Sequence, residues 1–200
     1  MKIIPSRRQF LALAAVKLIA LGAAFAVPAA GLSFIPAAYA APAAESGFEA
    51  ALREFDAARA DERRVDAAVA ALRGLPVDPQ RQPLQAAYLG SALAMQGKAA
   101  WMPWNKMKFT EHGLDQLDAA LAMLKPEHGA VLVRGVPVAL QTRLVAAVTF
   151  VAVPDGLFHR RADGRKLLAA LRADPLLAAV PAAFRAEVEA AEARLAESAK

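Results

Sequence analysis

Apolar residues recur every three or four positions over most of the chain after residue 45, which is the period of an amphipathic helix. The first run places Phe48, Leu52 and Phe55 on one face and predicts a helix from Glu45 to Arg59. Similar runs predict six further helices, at about 61–74, 83–97, 110–124, 138–153, 162–171 and 181–198. The pattern therefore indicates a succession of short helices joined by short connectors.

Two segments depart from this pattern. Residues 98–109 contain Trp101-Met102-Pro103-Trp104, and we predict that they form a structured connector between the third and fourth helices. Residues 131–133, Val-Leu-Val, have the composition of a strand, but no comparable segment offers itself as a partner. A helical turn is therefore favoured there.

The composition supports a helical protein. Hydrophobic residues make up 57% of the chain and aromatic residues only 6%, and a chain rich in Ala and poor in aromatic residues favours helix over sheet. The absence of Cys excludes disulfides, thiol nucleophiles, iron–sulfur clusters and thiolate zinc sites. We expect one all-α domain over residues 41–200, a length that suits a single core.

The net charge of +5 is concentrated at the N-terminus. Residues 1–40 hold four of the 24 basic residues and no acid, so residues 41–200 carry 20 basic and 19 acidic residues. A nearly neutral body offers no broad basic stripe, and nucleic-acid binding is therefore not expected.

The N-terminal segment contains Ser-Arg-Arg-Gln-Phe-Leu at residues 6–11, an uncharged Ala- and Gly-rich stretch, and Ala-Tyr-Ala at residues 38–40. With Arg7 and Arg8 adjacent, it resembles a twin-arginine export signal ending in a cleavage site. The resemblance implies a signal peptide at residues 1–40 and a mature periplasmic protein that begins near Ala41. The alternative is a retained anchor within residues 18–44, which would hold the protein on the inner membrane facing the periplasm.

Residues 110–126 resemble the second helix of a tetratricopeptide repeat. Gly113 and Ala120 stand at its small positions, Leu117 stands at a large position, and Pro126 closes the unit. Residues 84–94 resemble the first helix of such a repeat less closely. The resemblance implies antiparallel helix pairs stacked as a short superhelix, with residues 181–198 as a C-terminal capping helix.

Two clusters are candidate contact sites. Trp101, Trp104, Lys106 and Lys108 would form an aromatic and cationic lip for a peptide, a glycan or a partner protein. Alternatively, the two tryptophans pin the connector onto the helices beneath it.

The second cluster is basic and lies between the fifth and sixth predicted helices. His159 and Arg160 would hold an anion or an acidic C-terminus there, or would form a solvated basic turn.

The sequence contains no convincing catalytic motif. The three histidines, His112, His128 and His159, are too scattered for a helical metal pair, and His128 is predicted to lie in an exposed turn. Ser91 lacks the glycines of a nucleophile elbow. We therefore expect no catalytic, cofactor-binding or metal-binding residues.

Together these features predict an exported, tetratricopeptide-like binding or scaffold module with a protein or peptide partner. The alternatives are a cofactor-dependent enzyme or subunit that is exported folded, and a membrane-tethered accessory of an envelope transport complex. Membrane contact is expected only through an uncleaved N-terminal segment, and the sequence does not indicate the oligomeric state.

Overall fold

The computed structural model describes residues 46–197, so the predicted export signal, with Arg7 and Arg8, lies outside the described residues. The described part contains eight α-helices: α1 (Gly47–Ala60), α2 (Val65–Arg73), α3 (Gln82–Ala99), α4 (Pro103–Ala122), α5 (Val138–Ala152), α6 (Asp155–Phe158), α7 (Arg161–Ala173) and α8 (Ala182–Glu197). This content confirms the prediction of an all-α protein. None of the helices in this part is long and apolar enough to cross a membrane.

The helix boundaries follow local chemistry. Ser46 accepts a hydrogen bond from the Glu49 backbone N–H at 3.3 Å and caps α1. Asp61 similarly accepts from the Arg63 N–H at 3.0 Å and begins the turn that leads into α2. Pro83 and Pro103 stand in the first turns of α3 and α4, where a missing N–H costs nothing.

The first four helices pack as successive antiparallel neighbours. The start of α1 lies against Leu75, just beyond the end of α2. Between α2 and α3, the Gln85 amide donates to the Leu72 carbonyl at 3.0 Å, and the Gln96 amide donates to Asp66 at 2.7 Å. Only residues 100–102 separate α3 from α4. Because each helix reverses the direction of the one before it, α1 and α3 run parallel.

The α3–α4 pair is held at unusually close range by two glycines. A Cβ atom added to Gly113 would lie 2.5 Å from the Gly90 carbonyl oxygen, and one added to Gly90 would lie 2.7 Å from the Gly113 carbonyl. Real Cβ atoms do not approach backbone atoms this closely. The crossing of α3 and α4 therefore depends on the absence of side chains at both positions.

Helix α5 occupies the centre of the described part. It runs parallel to α3, because Gln141 bonds to Tyr88 and Thr149 bonds to Ser91 in the same order along both helices. It pairs antiparallel with α7 after the short α6, and Arg143 near its start contacts Asp174 beyond the end of α7 at 3.1 Å. Helix α8 then packs against both α5 and α7. Ten of the 15 residues of α5 are buried, so this helix is enclosed on most sides.

The structure corrects the predicted connector. Residues 98–109 do not form one: α3 continues to Ala99 and α4 begins at Pro103, seven residues before the predicted start. Proline is compatible with a first helical turn, and the following residues contain good helix formers.

The predicted helical turn at residues 131–133 is also wrong. Leu132–Val133 and Val136–Pro137 form a two-stranded antiparallel hairpin. Arg134 and Gly135 occupy its turn with φ of 51° and 76°, and positive φ at both central positions is what a two-residue hairpin turn requires.

His128 is buried, with 4% of its surface exposed, although an exposed turn is predicted there. Its Nδ1 accepts from the Lys125 backbone N–H at 2.9 Å, and its Nε2 lies 3.3 Å from the Pro79 carbonyl oxygen. The ring therefore links the turn after α4 to the connector between α2 and α3. This role is structural, because both ring nitrogens are used within the fold.

Candidate functional site

One face of the described residues forms an open groove of about 710 Å³. Its floor is formed by α3 and α5, and its two sides are formed by α1 and α8. The first turns of α4, together with α6, close one end. Aliphatic and aromatic side chains dominate the floor, among them Met95, Leu144, Val145, Val148 and Phe184. A pocket of this volume and lining is typical of binding sites for small molecules or short peptide segments.

The four helices that form the floor and sides of the groove, α1, α3, α5 and α8, run in the same direction. Helices α1, α3 and α5 are parallel, as described above. Near the end of α8, Ala191 and Arg194 share a small cavity with Val148 and Ala152 near the end of α5. The C-terminal ends of all four helices therefore lie at one end of the groove, and their N-terminal ends lie at the other.

Two polar pairs interrupt the apolar floor. The Gln141 amide donates to the Tyr88 hydroxyl at 2.8 Å, and the Thr149 hydroxyl donates to Ser91 at 2.9 Å. Burial raises the pKa of Tyr88, with a further contribution from the Asp56 carboxylate, so the hydroxyl stays protonated. The Gln141 Oε1 atom has no hydrogen-bond partner among the described residues. These groups give the groove a polar centre.

The two ends of the groove differ in charge. At the N-terminal end, Arg134 binds Glu49 at 3.0 Å and Asp56 at 2.9 Å, which ties the hairpin to α1. Partial burial disfavours the Arg134 cation, but its bonds to the two carboxylates outweigh this and raise its pKa. At the C-terminal end the lining is basic and comes from Arg59, Lys98, Lys106 and Arg194.

The predicted lip is exposed, and only part of it reaches the groove. Trp101 lies in the connection between α3 and α4, and Trp104 lies in the first turn of α4. Their exposed fractions are 84% and 66%, which contradicts the alternative that the two rings pin this segment onto the core. Lys106 lines the groove and donates to the Lys98 carbonyl at 3.0 Å, whereas Lys108 is exposed outside it.

We expect Trp104→Ala to change the free energy of unfolding by no more than about 0.5 kcal/mol, because the ring is largely solvated. Phe55→Ala is the control, because Phe55 is 4% exposed and its loss should cost about 3 to 5 kcal/mol. Thermal denaturation of both variants measures the difference. A loss from Trp104→Ala comparable with that from Phe55→Ala would restore the anchoring role.

His159 and Arg160 have different surroundings. His159 is exposed and adopts φ of 54° where α6 ends. The Arg160 guanidinium binds the Asp118 carboxylate of α4, lies 3.5 Å from Asp163, and covers the Phe150 ring at 4.0 Å from its centroid. Arg160 therefore links α4 to the start of α7, and its contacts within the fold are already extensive.

Several groove residues are absent from the sequence-based candidates. Tyr88 meets Arg134 and Gln141 there, although more than 40 residues of sequence separate it from either. Ser91 lies within a helix, as expected of a packing residue, but it also forms part of the floor. A polar residue within the apolar face of α5, Gln141, was the one local signal.

Within residues 46–197, no group of three or more His, Asp or Glu side chains is arranged to hold a metal ion. Comparison of the chain with protein-family models, curated proteins and solved structures finds no match.

Proposed function

We propose that this protein is a tetratricopeptide-like binding module that receives a peptide segment of a partner protein in the groove between α1, α3, α5 and α8. The observation that carries the proposal is the open, mostly apolar groove of about 710 Å³ with a polar centre. Helices α1, α3 and α5 run parallel along one face, and each pairs with an antiparallel helix: α2, α4 and α7, respectively. Helical repeats with concave binding surfaces use this arrangement.

The dimensions of the groove suit a short segment. Helix α5 has 15 residues, and at 1.5 Å per residue its axis is about 22 Å long. An extended peptide of roughly seven residues spans that length. The apolar floor would bury its side chains.

The location remains part of the proposal. The twin-arginine-like motif around Arg7 and Arg8 supports export to the periplasm, where this protein would act as a scaffold for a partner. The alternatives of an enzyme or a transport accessory draw no support from a particular feature of the described residues.

The groove can be tested with displayed random peptides of about ten residues, selected on the purified protein and then measured by fluorescence anisotropy. Ala183→Trp and Ala152→Trp each place a large ring in the groove from an exposed position on α8 or α5. We expect each to weaken the selected peptides at least tenfold, which is roughly 1.4 kcal/mol. Ala119→Trp, at an exposed position on α4 outside the groove, is the matched control and should leave affinity unchanged.

Two outcomes would contradict the proposal. One is a selection that returns no peptide with measurable affinity for the purified protein. The other is an equal loss of affinity in the Ala119→Trp control, which would place the binding surface elsewhere.

A further inference from the structure

The two tryptophans belong to a surface at the C-terminal end of the groove, and two lysines of this surface, Lys98 and Lys106, also line the groove. We call it the tryptophan end and define it as Lys98, Trp101, Trp104, Lys106 and Lys108. Trp101 and Trp104 are the only tryptophans of the chain and are 84% and 66% exposed. They lie where α3 ends and α4 begins. This is also the end of the groove at which α1, α3, α5 and α8 terminate. Neither ring lines the groove, so a peptide seated there would leave both exposed.

The tryptophan end is strongly basic. Residues 98–108 contain three lysines and no acid. The Lys98 ammonium contacts Glu62 at 2.8 Å, but the two side chains are 78% and 61% exposed, and such a solvated pair is weak. All three lysines are exposed, so their long side chains can place the ammonium groups against a negatively charged surface.

This composition favours a lipid surface over a protein partner. Tryptophan has an apolar ring and a polar N–H, and it concentrates at the headgroup level of bilayers. Lysine is attracted to anionic headgroups, whereas it is depleted from protein–protein interfaces. Exposed indoles flanked by lysines therefore match a membrane interface in two respects: the indoles suit the headgroup level, and the lysines suit anionic headgroups.

We propose that the tryptophan end rests on the surface of an anionic phospholipid bilayer. Both indole rings lie at the headgroup level, and the lysine ammonium groups face lipid phosphates. The contact is peripheral, and neither indole lines the groove, so a peptide seated there leaves both rings available for it. It directs the basic end of the groove, with Arg59 and Arg194, toward the membrane.

Intrinsic fluorescence tests this contact directly, because no tryptophan lies outside this surface. The probe is vesicles of phosphatidylcholine alone or of phosphatidylcholine with phosphatidylglycerol, added to the purified protein. We expect a blue shift of the emission with the anionic vesicles and little change with the neutral ones. The shift should weaken as salt rises, because screening weakens the lysine contribution.

Variants then assign the contact to named residues, with binding measured by vesicle sedimentation. Trp101→Ala combined with Trp104→Ala should lower the partition coefficient at least tenfold. Each of Lys98→Gln, Lys106→Gln and Lys108→Gln should lower it about fivefold.

Matched controls remove the same charge elsewhere. Arg73→Gln on α2 and Arg165→Gln on α7 alter exposed basic residues outside the tryptophan end and should change binding little. All variants carry the same N-terminal segment, so any membrane affinity of that segment cancels in the comparison.

Three results would overturn the proposal: no blue shift with anionic vesicles, equal binding to neutral and anionic vesicles, or full binding by the double tryptophan variant. If envelope proteins free of lipid shift the emission and vesicles do not, the tryptophans would be assigned to a protein partner. None of these results affects the groove, whose peptide binding is measured without lipid.

Discussion

Gly113→Val is expected to lower the free energy of unfolding by about 3 kcal/mol or more, because it forces α3 and α4 apart. The new Cβ would lie 2.5 Å from the Gly90 carbonyl oxygen and 2.8 Å from the Ala94 backbone nitrogen. Both obstacles are backbone atoms of a helix, so a change of side-chain rotamer cannot relieve the overlap. For a domain of this size the melting temperature should fall by about 10 °C.

Gly156→Val is the matched control for this prediction. A Cβ at Gly156 meets nothing within 4 Å, so the same substitution there adds no overlap. Thermal and denaturant unfolding of the two variants should differ clearly. Equal stability of Gly113→Val and Gly156→Val would mean that α3 and α4 do not approach each other as closely as the structure has them.

The helices could be predicted because local periodicity records which face of each segment is buried. Phe48, Leu52 and Phe55 recur at helical spacing, and all three are buried on α1. The same reasoning failed at the start of α4, because Trp101 and Trp104 are apolar but exposed and so break the pattern. An apolar residue in sequence is only a candidate for burial, and a surface that serves a partner violates the rule.

The hairpin and His128 were missed for a different reason, since both depend on contacts that a local pattern does not record. Each strand has two residues, too few for a recognisable alternation, and only the Arg134-Gly135 turn was available as a signal. The His128 ring is buried against the Pro79 carbonyl, which lies 49 residues away in sequence.

The groove was beyond prediction for the same reason. Tyr88 and Gln141 meet on its floor across 53 residues, so their pairing follows from the way α5 packs on α3. Each helix face taken alone is simply mostly apolar. The sequence therefore indicated that a helical surface exists, while the packing determined which side chains it presents.

Phe150→Ala should lower the free energy of unfolding by about 3 to 5 kcal/mol, because it empties the junction between two helix pairs. Phe150 lies on α5, is 1% exposed, and packs in one cluster with Ala87 of α3 and Leu117 of α4. The Arg160 guanidinium lies over the ring, 4.0 Å from its centroid. Removing the ring leaves a cavity and also removes the surface against which Arg160 is held.

Amide hydrogen exchange can locate the effect as well as measure it. If Phe150 joins the α3–α4 pair to the α5–α7 pair, its loss should reduce protection in α5 and α7 more than in α1 and α2. Phe150→Leu keeps most of the volume and should recover a large part of the stability. Leu157→Ala is the control for loss of an exposed apolar residue, since Leu157 is 61% exposed. A Phe150→Ala variant as stable as Leu157→Ala would show that the two helix pairs are held together elsewhere.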